Sequence, residues 1–292
     1  MLGIGIDIGS TATKIAVLDD DGAIVDTNVR STGFSSVEAA AAAGEYLASR
    51  GFLDMPHAVV ATGYGRIAVP FADKVVTEIT CHGMGAAFLF GDDGVVIDVG
   101  GQDTKVIQLA GGKVKKFLMN DKCAAGTGRF LEIMADRLAV SQQQLADMAR
   151  EGEPTPISSM CTVFAESEVI SLVGRGEPRE NIANGVIESV VERVATMASG
   201  VAGEQVFLTG GLCDNAYFVE RLASALGQRV QTTPNARFAG AIGAAIAASR
   251  LQSEKEHTAT ESGGVQGEGN GRRARSWLAN GSSRQAANKH ER

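Results

Sequence analysis

Two short segments of the sequence place a carboxylate directly before a turn of small residues. Asp7 precedes Ile-Gly-Ser-Thr, with Ser10 and Thr11 in the turn, and Asp98 precedes Val-Gly-Gly-Gln-Asp. Small residues let backbone N–H groups point at an anion, and such carboxylates can hold Mg²⁺ through its bound waters. Two facing turns of this kind would bind a polyphosphate from both sides, although each turn alone is also typical of an ordinary β-hairpin.

The two turns are part of a longer internal repeat. At an offset of 91 residues, Ile6, Asp7, Gly9, Thr13, Lys14 and Leu18 match Ile97, Asp98, Gly100, Thr104, Lys105 and Leu109. Each copy has a strand, a turn and a second strand. The repeat predicts two similar domains, each opening with a β-hairpin whose turn follows an aspartate.

The remaining elements complete an α/β pattern. We expect strands at 2–8, 13–18, 23–29, 58–61, 74–78, 95–99, 113–118, 204–208 and 229–232. Helices are expected at 35–50, 81–90, 126–138, 141–150, 162–174, 179–199, 214–226 and 238–250. We place the first domain at 1–92 and the second at 93–251. Residues 252–292 contain few apolar side chains, so we expect a disordered tail there.

Composition excludes several classes of protein. The chain has 27 Lys and Arg against 34 Asp and Glu, a net charge of −7, which argues against binding to nucleic acid or to an anionic membrane. No segment reaches the roughly 20 apolar residues that span a bilayer, and the N-terminal segment does not resemble a signal peptide. We therefore expect a cytoplasmic protein whose cysteines are thiols or metal ligands rather than disulfides.

The chemistry of the turns suggests a role for each residue. Ser10 and Thr11 would contact phosphate oxygens, Asp7 and Asp98 would hold Mg²⁺, and Gln102 or Asp103 would orient the attacking water. A third small-residue turn, Thr209-Gly210-Gly211, follows a later strand. The sequence therefore predicts a nucleotide cleft between two domains.

This triple arrangement resembles the acetate kinase–hexokinase–actin–heat-shock-chaperone ATPase superfamily. The resemblance implies two duplicated actin-like, ribonuclease H-like α/β domains, with ATP or ADP in the cleft between them. Residues 7–14 and 98–103 match its phosphate motifs, 209–212 its adenosine motif and 240–248 the helix that closes the pair. It implies that Thr13, Lys14, Gly100, Gly101, Gly210 and Gly211 contact the nucleotide. Many relatives have Gly-Thr-Ser where this chain has Gln102-Asp103, so the water-activating residue stays open.

Two of the four cysteines lie in loops that we expect to lead into helices. Cys123 would precede a helix beginning at Ala124, and Cys161 one beginning at Thr162. A helix N-terminus favours the thiolate form of a cysteine. A 4Fe–4S cluster takes four thiolates, and a two-fold dimer with two ligands per chain would supply them.

The other two cysteines are weaker candidates for ligands. Cys81 opens a helix rich in Ala, Gly and Phe, and at Cys213 a cluster would crowd the expected adenosine loop. Zinc bound by four thiolates is the competing metal site, but the chain has no C-x-x-C pair, which disfavours a single-chain zinc site.

One family combines the nucleotide turns with the two cysteine loops, and this sequence resembles it more closely. Residues 61–66, 81–86, 98–103, 120–130 and 161–170 look like the ATP-dependent activators of (R)-2-hydroxyacyl-CoA dehydratases, which share a family with the ATPase subunits of benzoyl-CoA reductase. The similarity extends over residues 2–250.

The resemblance implies a homodimer with one 4Fe–4S cluster on Cys123 and Cys161. ATP hydrolysis would drive one low-potential electron from the cluster to a dehydratase. A ferredoxin- or flavodoxin-type protein would supply that electron to the cluster. Gly126, Thr127 and Gly128 would sense the nucleotide. Glu166 would either do the same or lie on a solvated helix face.

Three alternatives remain open from the sequence. The chain could be the ATPase subunit of an aromatic-ring reductase, with the cluster in a heterodimer. It could be a small-molecule kinase with four unrelated thiols, or an actin-type scaffold. The acyl-CoA substrate is not determined by any of these residues.

Overall fold

Two five-stranded sheets form the framework of the protein in the computed structural model, which describes residues 1–158, 161–201, 203 and 205–261, with the backbone alone for 252–261. The first sheet contains β1 Leu2–Ile8, β2 Ala12–Leu18, β3 Ile24–Ser31, β4 His57–Thr62 and β5 Lys74–Val75. The second contains β6 Gly94–Val99, β7 Thr104–Ala110, β8 Lys113–Asn120, β9 Val206–Gly210 and β10 Val230–Gln231.

The two sheets have the same topology. Their strand orders are β3-β2-β1-β4-β5 and, from the corresponding edge, β8-β7-β6-β9-β10. In each, three strands form an antiparallel meander, and the last two run parallel to the first. This equivalence confirms the duplication predicted from the repeat.

Strand pairing also places the repeated residues in the same register. Asp7 lies opposite Lys14, as Asp98 lies opposite Lys105. On the other edge Asp7 pairs with Thr62, and Asp98 with Thr209. The last match was missed in the sequence because segments of different length separate Thr62 and Thr209 from their aspartates.

Eight α-helices are found in the part of the chain that the structure describes. They are α1 Ser36–Ser49, α2 Glu78–Phe90, α3 Gly128–Arg137, α4 Gln142–Glu151, α5 Thr162–Gly174, α6 Arg179–Ala198, α7 Ala216–Leu226 and α8 Ala239–Glu261. Ser35 caps α1 by accepting from the Glu38 N–H, as its position predicts. The helix α8 continues ten residues past residue 251, into the predicted tail, and the rest of that tail lies outside the described residues.

The helices α2 and α8 lie between the two sheets. Ala86 of α2 packs with Val96 and Ile107 of the second sheet, whereas Ala241 of α8 packs with Ala16 of the first. The helices meet at glycine, since a Cβ added at Gly85 would lie 1.8 Å from the Ala239 carbonyl oxygen. The chain therefore returns to its first half through α8.

A larger core fills the second half, where α3, α4, α6 and α7 pack on the second sheet around Phe130, Phe218 and Leu222. The first sheet packs against α1 through Leu47 and Ala43. None of the described helices is both long and apolar enough to cross a bilayer.

Candidate functional site

A cleft of about 490 Å³ opens where the turn after β1 faces the turn after β6. The turns meet directly, because a Cβ added at Gly101 would lie 2.1 Å from Thr11 Oγ1. Eleven residues predicted for the nucleotide site line this cleft: Asp7, Ser10, Thr11, Lys14, Asp98, Gly100, Gly101, Gln102, Asp103, Gly128 and Gly211.

Other predicted residues support the cleft without lining it. Thr13 is buried, and its hydroxyl lies 2.9 Å from Thr32 Oγ1. Gly210 ends β9 with a φ of +85° and packs against the Val99 carbonyl, so any side chain there would collide with β6. This contact fixes the small-residue turn that carries Gly211 into the cleft.

The remaining predicted nucleotide contacts lie farther along the chain. Gly126 lines a second cavity of about 670 Å³ beside Cys123. Thr127 is fully buried. Glu166 forms an ion pair with Arg137 of α3 and is absent from the cleft lining.

A cluster of buried charges forms the floor of the cleft. Lys105 Nζ lies 2.8 Å from Glu78 Oε1, 2.8 Å from Asp103 Oδ2 and 3.4 Å from Asp98 Oδ2. His82 Nε2 lies 3.3 Å from Asp98 Oδ1. Burial opposes the charge on His82, but the neighbouring Asp98 raises its pKa to about 9. The cluster therefore contains a protonated histidine at neutral pH.

The two aspartates of the repeat have different environments. Burial by itself would raise the pKa of Asp98, but the charges of His82 and Lys105 hold that pKa well below its usual value. Thr209 Oγ1 also donates to Asp98 Oδ1 at 2.8 Å, so both carboxylate oxygens are engaged. Asp7 is equally buried, but its Oδ1 has no hydrogen-bond partner among the described residues.

The unpartnered oxygen makes Asp7 suitable for a cation. Burial raises the pKa of Asp7, and the charge of Lys14 offsets this only partly. Buried polar groups without partners are costly, so this half of the cleft fits a bound Mg²⁺ better than the Asp98 half does.

The four cysteines divide into two classes. Cys123 and Cys161 are exposed, whereas Cys81 and Cys213 are buried. Burial raises the pKa of each buried thiol to about 12. Only the first pair is therefore accessible to an external metal.

The predicted helix start beside Cys123 was wrong, but the one beside Cys161 is confirmed. Cys161 is the N-cap of α5, whereas α3 begins at Gly128 with Thr127 as its N-cap. Cys123 lies instead in a separate turn, in which its N–H donates to Asn120 Oδ1 at 3.3 Å. The reason is local, since the Asn120 side chain also binds the carbonyl of Cys123 and holds the turn out of the helix.

Helix α5 has an unusually apolar surface beside Cys161. Val163 and Phe164 are 67% and 68% exposed, and Ile170 and Val173 are also exposed. Exposed apolar side chains in such a group are typical of an interaction surface. Among the described residues, no group of three or more His, Cys, Asp and Glu side chains is arranged to hold a metal ion.

A chain of hydrogen bonds joins the cleft to the Cys123 loop. The Gly101 carbonyl accepts from the Arg129 N–H at 2.8 Å and lies 3.2 Å from Thr127 Oγ1. Thr127 Oγ1 also donates to the carbonyl of Ala124, the residue after Cys123, at 2.6 Å. Thr127 therefore lies between the second phosphate turn and the cysteine loop.

Three residues of the charge cluster were not assigned a role from the sequence. Lys105 appeared only as the repeat mate of Lys14, and its place in the repeat was the signal that could have identified it. His82 lies in the helix expected at 81–90 and Glu78 at the end of the strand expected at 74–78, and neither was assigned a role. Both pair with residues far away in the sequence, so no local spacing indicates them.

Comparisons with known proteins agree with this geometry. A model of the BadF/BadG/BcrA/BcrD ATPase family matches residues 4–248. The (R)-2-hydroxyglutaryl-CoA dehydratase activating ATPase of Acidaminococcus fermentans is 42% identical over 247 residues, covering 83% of this chain and 95% of that protein. The activator of lactoyl-CoA dehydratase of Anaerotignum propionicum is 42% identical over 260 residues, covering 87% and 100%. One of the benzoyl-CoA reductase subunits of Thauera aromatica is 31% identical over 197 residues, covering 64% and 70%.

Solved structures confirm the predicted actin-like α/β fold. The activator of 2-hydroxyisocaproyl-CoA dehydratase from Clostridium difficile, with bound ADPNP, superposes with a TM-score of 0.83 at 35% identity, covering 92% of this chain and 100% of that one. A ROK family glucokinase from Streptomyces griseus shares the fold alone, with a TM-score of 0.58 at 16% identity over 86% and 100% of the chains. Because the family model spans most of the sequence and the activators match it over nearly their whole length, the chain belongs to the BadF/BadG/BcrA/BcrD ATPase family.

Proposed function

We propose that this ATPase is an activator of a 2-hydroxyacyl-CoA dehydratase. It would hold one 4Fe–4S cluster between two copies of the chain and use ATP hydrolysis to deliver one low-potential electron to the dehydratase. The observation that carries the proposal is the division of the cysteines, with Cys123 and Cys161 exposed and the other two buried. The names of the relatives support the choice of partner.

The cleft would bind ATP with Mg²⁺. Lys14, Ser10 and Thr11 line the side of the cleft formed by the first turn, where side-chain donors can contact phosphate oxygens. Asp7 supplies the unpartnered oxygen that a hydrated Mg²⁺ requires. Asp98, whose oxygens are already engaged, instead holds His82 and Lys105. The sequence predicted that both aspartates hold Mg²⁺, whereas in this proposal Asp7 alone does so.

Cys123 and Cys161 would bind the cluster, each chain providing two of the four thiolates. When bound, the cluster supplies a one-electron carrier of low potential. The exposed apolar residues of α5 begin two residues after Cys161. A two-fold axis beside Cys161 would bury these side chains against the second copy, which supports the homodimer.

The transfer must be driven by an external source of energy. Making a one-electron donor roughly 300 mV more reducing costs about 7 kcal/mol, which hydrolysis of ATP can supply. The protein has a direct route for this coupling, from the Gly101 carbonyl through Thr127 to the loop of Cys123. The ion pair of Arg137 with Glu166 joins α3 to α5, and Cys161 lies at the N-cap position of α5. Movement of the second phosphate turn would therefore shift both cysteine-bearing segments.

Anaerobic purification with iron and sulfide analysis tests the proposal. The wild-type protein, after reconstitution, should be a dimer with four irons per two chains and an EPR signal when reduced. Cys123→Ser and Cys161→Ser should each lose the iron, whereas Cys81→Ala, as the matched control, should retain it. A colourless wild-type protein, or a monomer with a full cluster, would contradict the proposal.

The aromatic-ring reductase alternative makes a different prediction about assembly. An ATPase subunit of that kind would pair with a related but different chain, so the isolated protein would not form the cluster alone. The match to the Thauera protein covers 64% of this chain, against 87% for the lactoyl-CoA dehydratase activator. This difference supports the activator. Electron transfer to a purified dehydratase, with ferredoxin or flavodoxin as donor, distinguishes the two.

A further inference from the structure

Lys105 differs sharply from its counterpart in the repeat. Lys14 and Lys105 lie opposite Asp7 and Asp98 in the same register. Lys14 is half-buried, whereas the side chain of Lys105 is 2% exposed at the floor of the cleft. A buried ammonium group is costly unless it is paired, so the position of Lys105 depends on the groups that it binds.

Three carboxylates surround the Lys105 ammonium. Glu78 and Asp103 each place an oxygen 2.8 Å from Nζ, and Asp98 places one at 3.4 Å. An ammonium group has three N–H donors, and each of these carboxylates can take one. Lys105 is therefore engaged by the protein itself, whereas Lys14 is placed to reach a phosphate.

The cluster joins α2 to the second sheet. Glu78 and His82 lie one turn apart on α2, which follows the first sheet. Glu78 pairs with Lys105, and His82 pairs with Asp98, both on strands of the second sheet. Each ion pair thus joins α2 to the second sheet, and Glu78 holds Lys105 from the side of this helix.

Asp103 is the member of the cluster that faces the nucleotide. Its side chain is 23% exposed and lines the cleft. Lys105 binds Oδ2, while Oδ1 lies over the phosphate turn, only 2.4 Å from the place where a Cβ at Gly100 would be. Gln102, the other sequence candidate for water activation, is exposed at the tip of the turn. Only Asp103 is therefore held in place by a buried partner.

We propose that Lys105 is a positioning residue for ATP hydrolysis, which fixes Asp103 over the second phosphate turn so that Asp103 can bind the attacking water. Glu78 fixes Lys105 in turn. The inference rests on the ATP site proposed above. In the reaction, the water oxygen bonds to the terminal phosphorus while the bond from that phosphorus to ADP breaks. The water proton passes to Asp103 and then to solvent.

A double-mutant cycle between Lys105 and Asp103 tests this role. Lys105→Met and Asp103→Asn should each lower kcat for ATP hydrolysis at least about 10-fold, with the Kd for fluorescent ADP changing less than about 3-fold. The double variant should be no slower than the slower single variant, because Lys105 acts through Asp103. Lys105→Arg should recover part of the rate. The proposal would be overturned if the kcat of the double variant fell by the product of the two single losses. It would also be overturned if the affinity for ADP fell as much as kcat.

A second cycle keeps the test decisive if Lys105→Met does not fold. Glu78→Gln keeps the size of its side chain and acts on Asp103 only through Lys105, so its effect on kcat should also vanish in the Asp103→Asn background. Lys113→Met, on the exposed end of β8, is the matched lysine control and should leave kcat unchanged. These measurements need neither iron nor a dehydratase. A protein that hydrolyses ATP but binds no iron would refute the proposed function and leave this inference standing.

Discussion

Replacing Gly210 by alanine should destabilise the protein more than the same change at an equally left-handed glycine in an open turn. Gly210 has a φ of +85°, and an added Cβ would lie 2.4 Å from the Val99 carbonyl oxygen. Gly22, between β2 and β3, has a φ of +80° with nothing within 4 Å of the added Cβ. An alanine at either position therefore pays the same cost for the left-handed backbone conformation, but only at Gly210 does its Cβ collide with a neighbouring backbone atom.

The two costs can be separated. The left-handed conformation costs a residue with a Cβ about 1–2 kcal/mol, which is all that Gly22→Ala should lose. Collision with a backbone oxygen that cannot rotate away adds about 1–3 kcal/mol, as for other overpacked sites. Gly210→Ala should therefore lose about 2–5 kcal/mol, a large part of a typical free energy of unfolding of about 5–15 kcal/mol.

Urea unfolding without nucleotide, followed by circular dichroism, measures both losses. Gly63→Ala provides an internal repeat of the test in the first half, because its φ is +86° and its Cβ would lie 2.6 Å from the Ile8 carbonyl oxygen. Equal losses for Gly22→Ala and Gly210→Ala would show that the close approach of β9 to β6 is absent, and the reasoning about the turn would fail.

Four further predictions concern the site. Asp98→Asn should destabilise the protein at pH 7 by about 3–5 kcal/mol, because it removes the buried carboxylate that pairs with His82 and one of the three that surround Lys105. Asp7→Asn should stabilise the protein, because burial raises the pKa of Asp7 and its ionised form is therefore a cost above the unfolded pKa. Urea unfolding of both variants measures this contrast. In the cluster-free protein at pH 8, iodoacetamide should label Cys123 and Cys161 but reach Cys81 and Cys213 only after unfolding, because the buried thiols have a pKa of about 12 and stay protonated; peptide mass spectrometry identifies the sites, and labelling of Cys81 in the folded protein would contradict the burial. Lys14→Met should weaken ADP binding about 10- to 100-fold through loss of a charged hydrogen bond, with Lys113→Met unchanged, as fluorescent ADP titration would show. Thr127→Val should remove any effect of nucleotide on the alkylation rate of Cys123, and Thr127→Ser should restore it; a normal nucleotide effect in the valine variant would exclude the Thr127 route.

The elements that carry the phosphate turns could be predicted from the sequence because the repeat is local. Asp7, its turn and Lys14 lie within one hairpin, so the match to Asp98 and Lys105 predicts strands, turn and register together. Helix α5 was likewise predicted with its observed bounds, since apolar residues recur at helical spacing along it, as at Ala165, Val169 and Val173, and Gly174 ends the pattern. In these segments neighbouring residues determine the structure.

The charge cluster could not be predicted in the same way. Asp98 and Asp103 lie in the same hairpin as Lys105. Glu78 and His82 come from α2, and only folding brings that helix to the hairpin. The helix start at Ala124 failed for a different reason. Asn120 binds the backbone of the following turn, and Thr127 then caps α3, so a side-chain hydrogen bond competes successfully with an earlier helix start.

The crossing of α2 and α8 has a mechanical consequence. A Cβ at Gly85 or at Gly243 would lie 1.8 Å from a carbonyl oxygen of the opposite helix, so the two backbones touch with no side chains between them. Helices normally resist sliding because the side-chain ridges of one interlock with the grooves of the other. Without ridges at this point, a rotation of one helix on the other would not have to separate interlocked side chains, and it would leave the strand hydrogen bonds within each sheet unbroken.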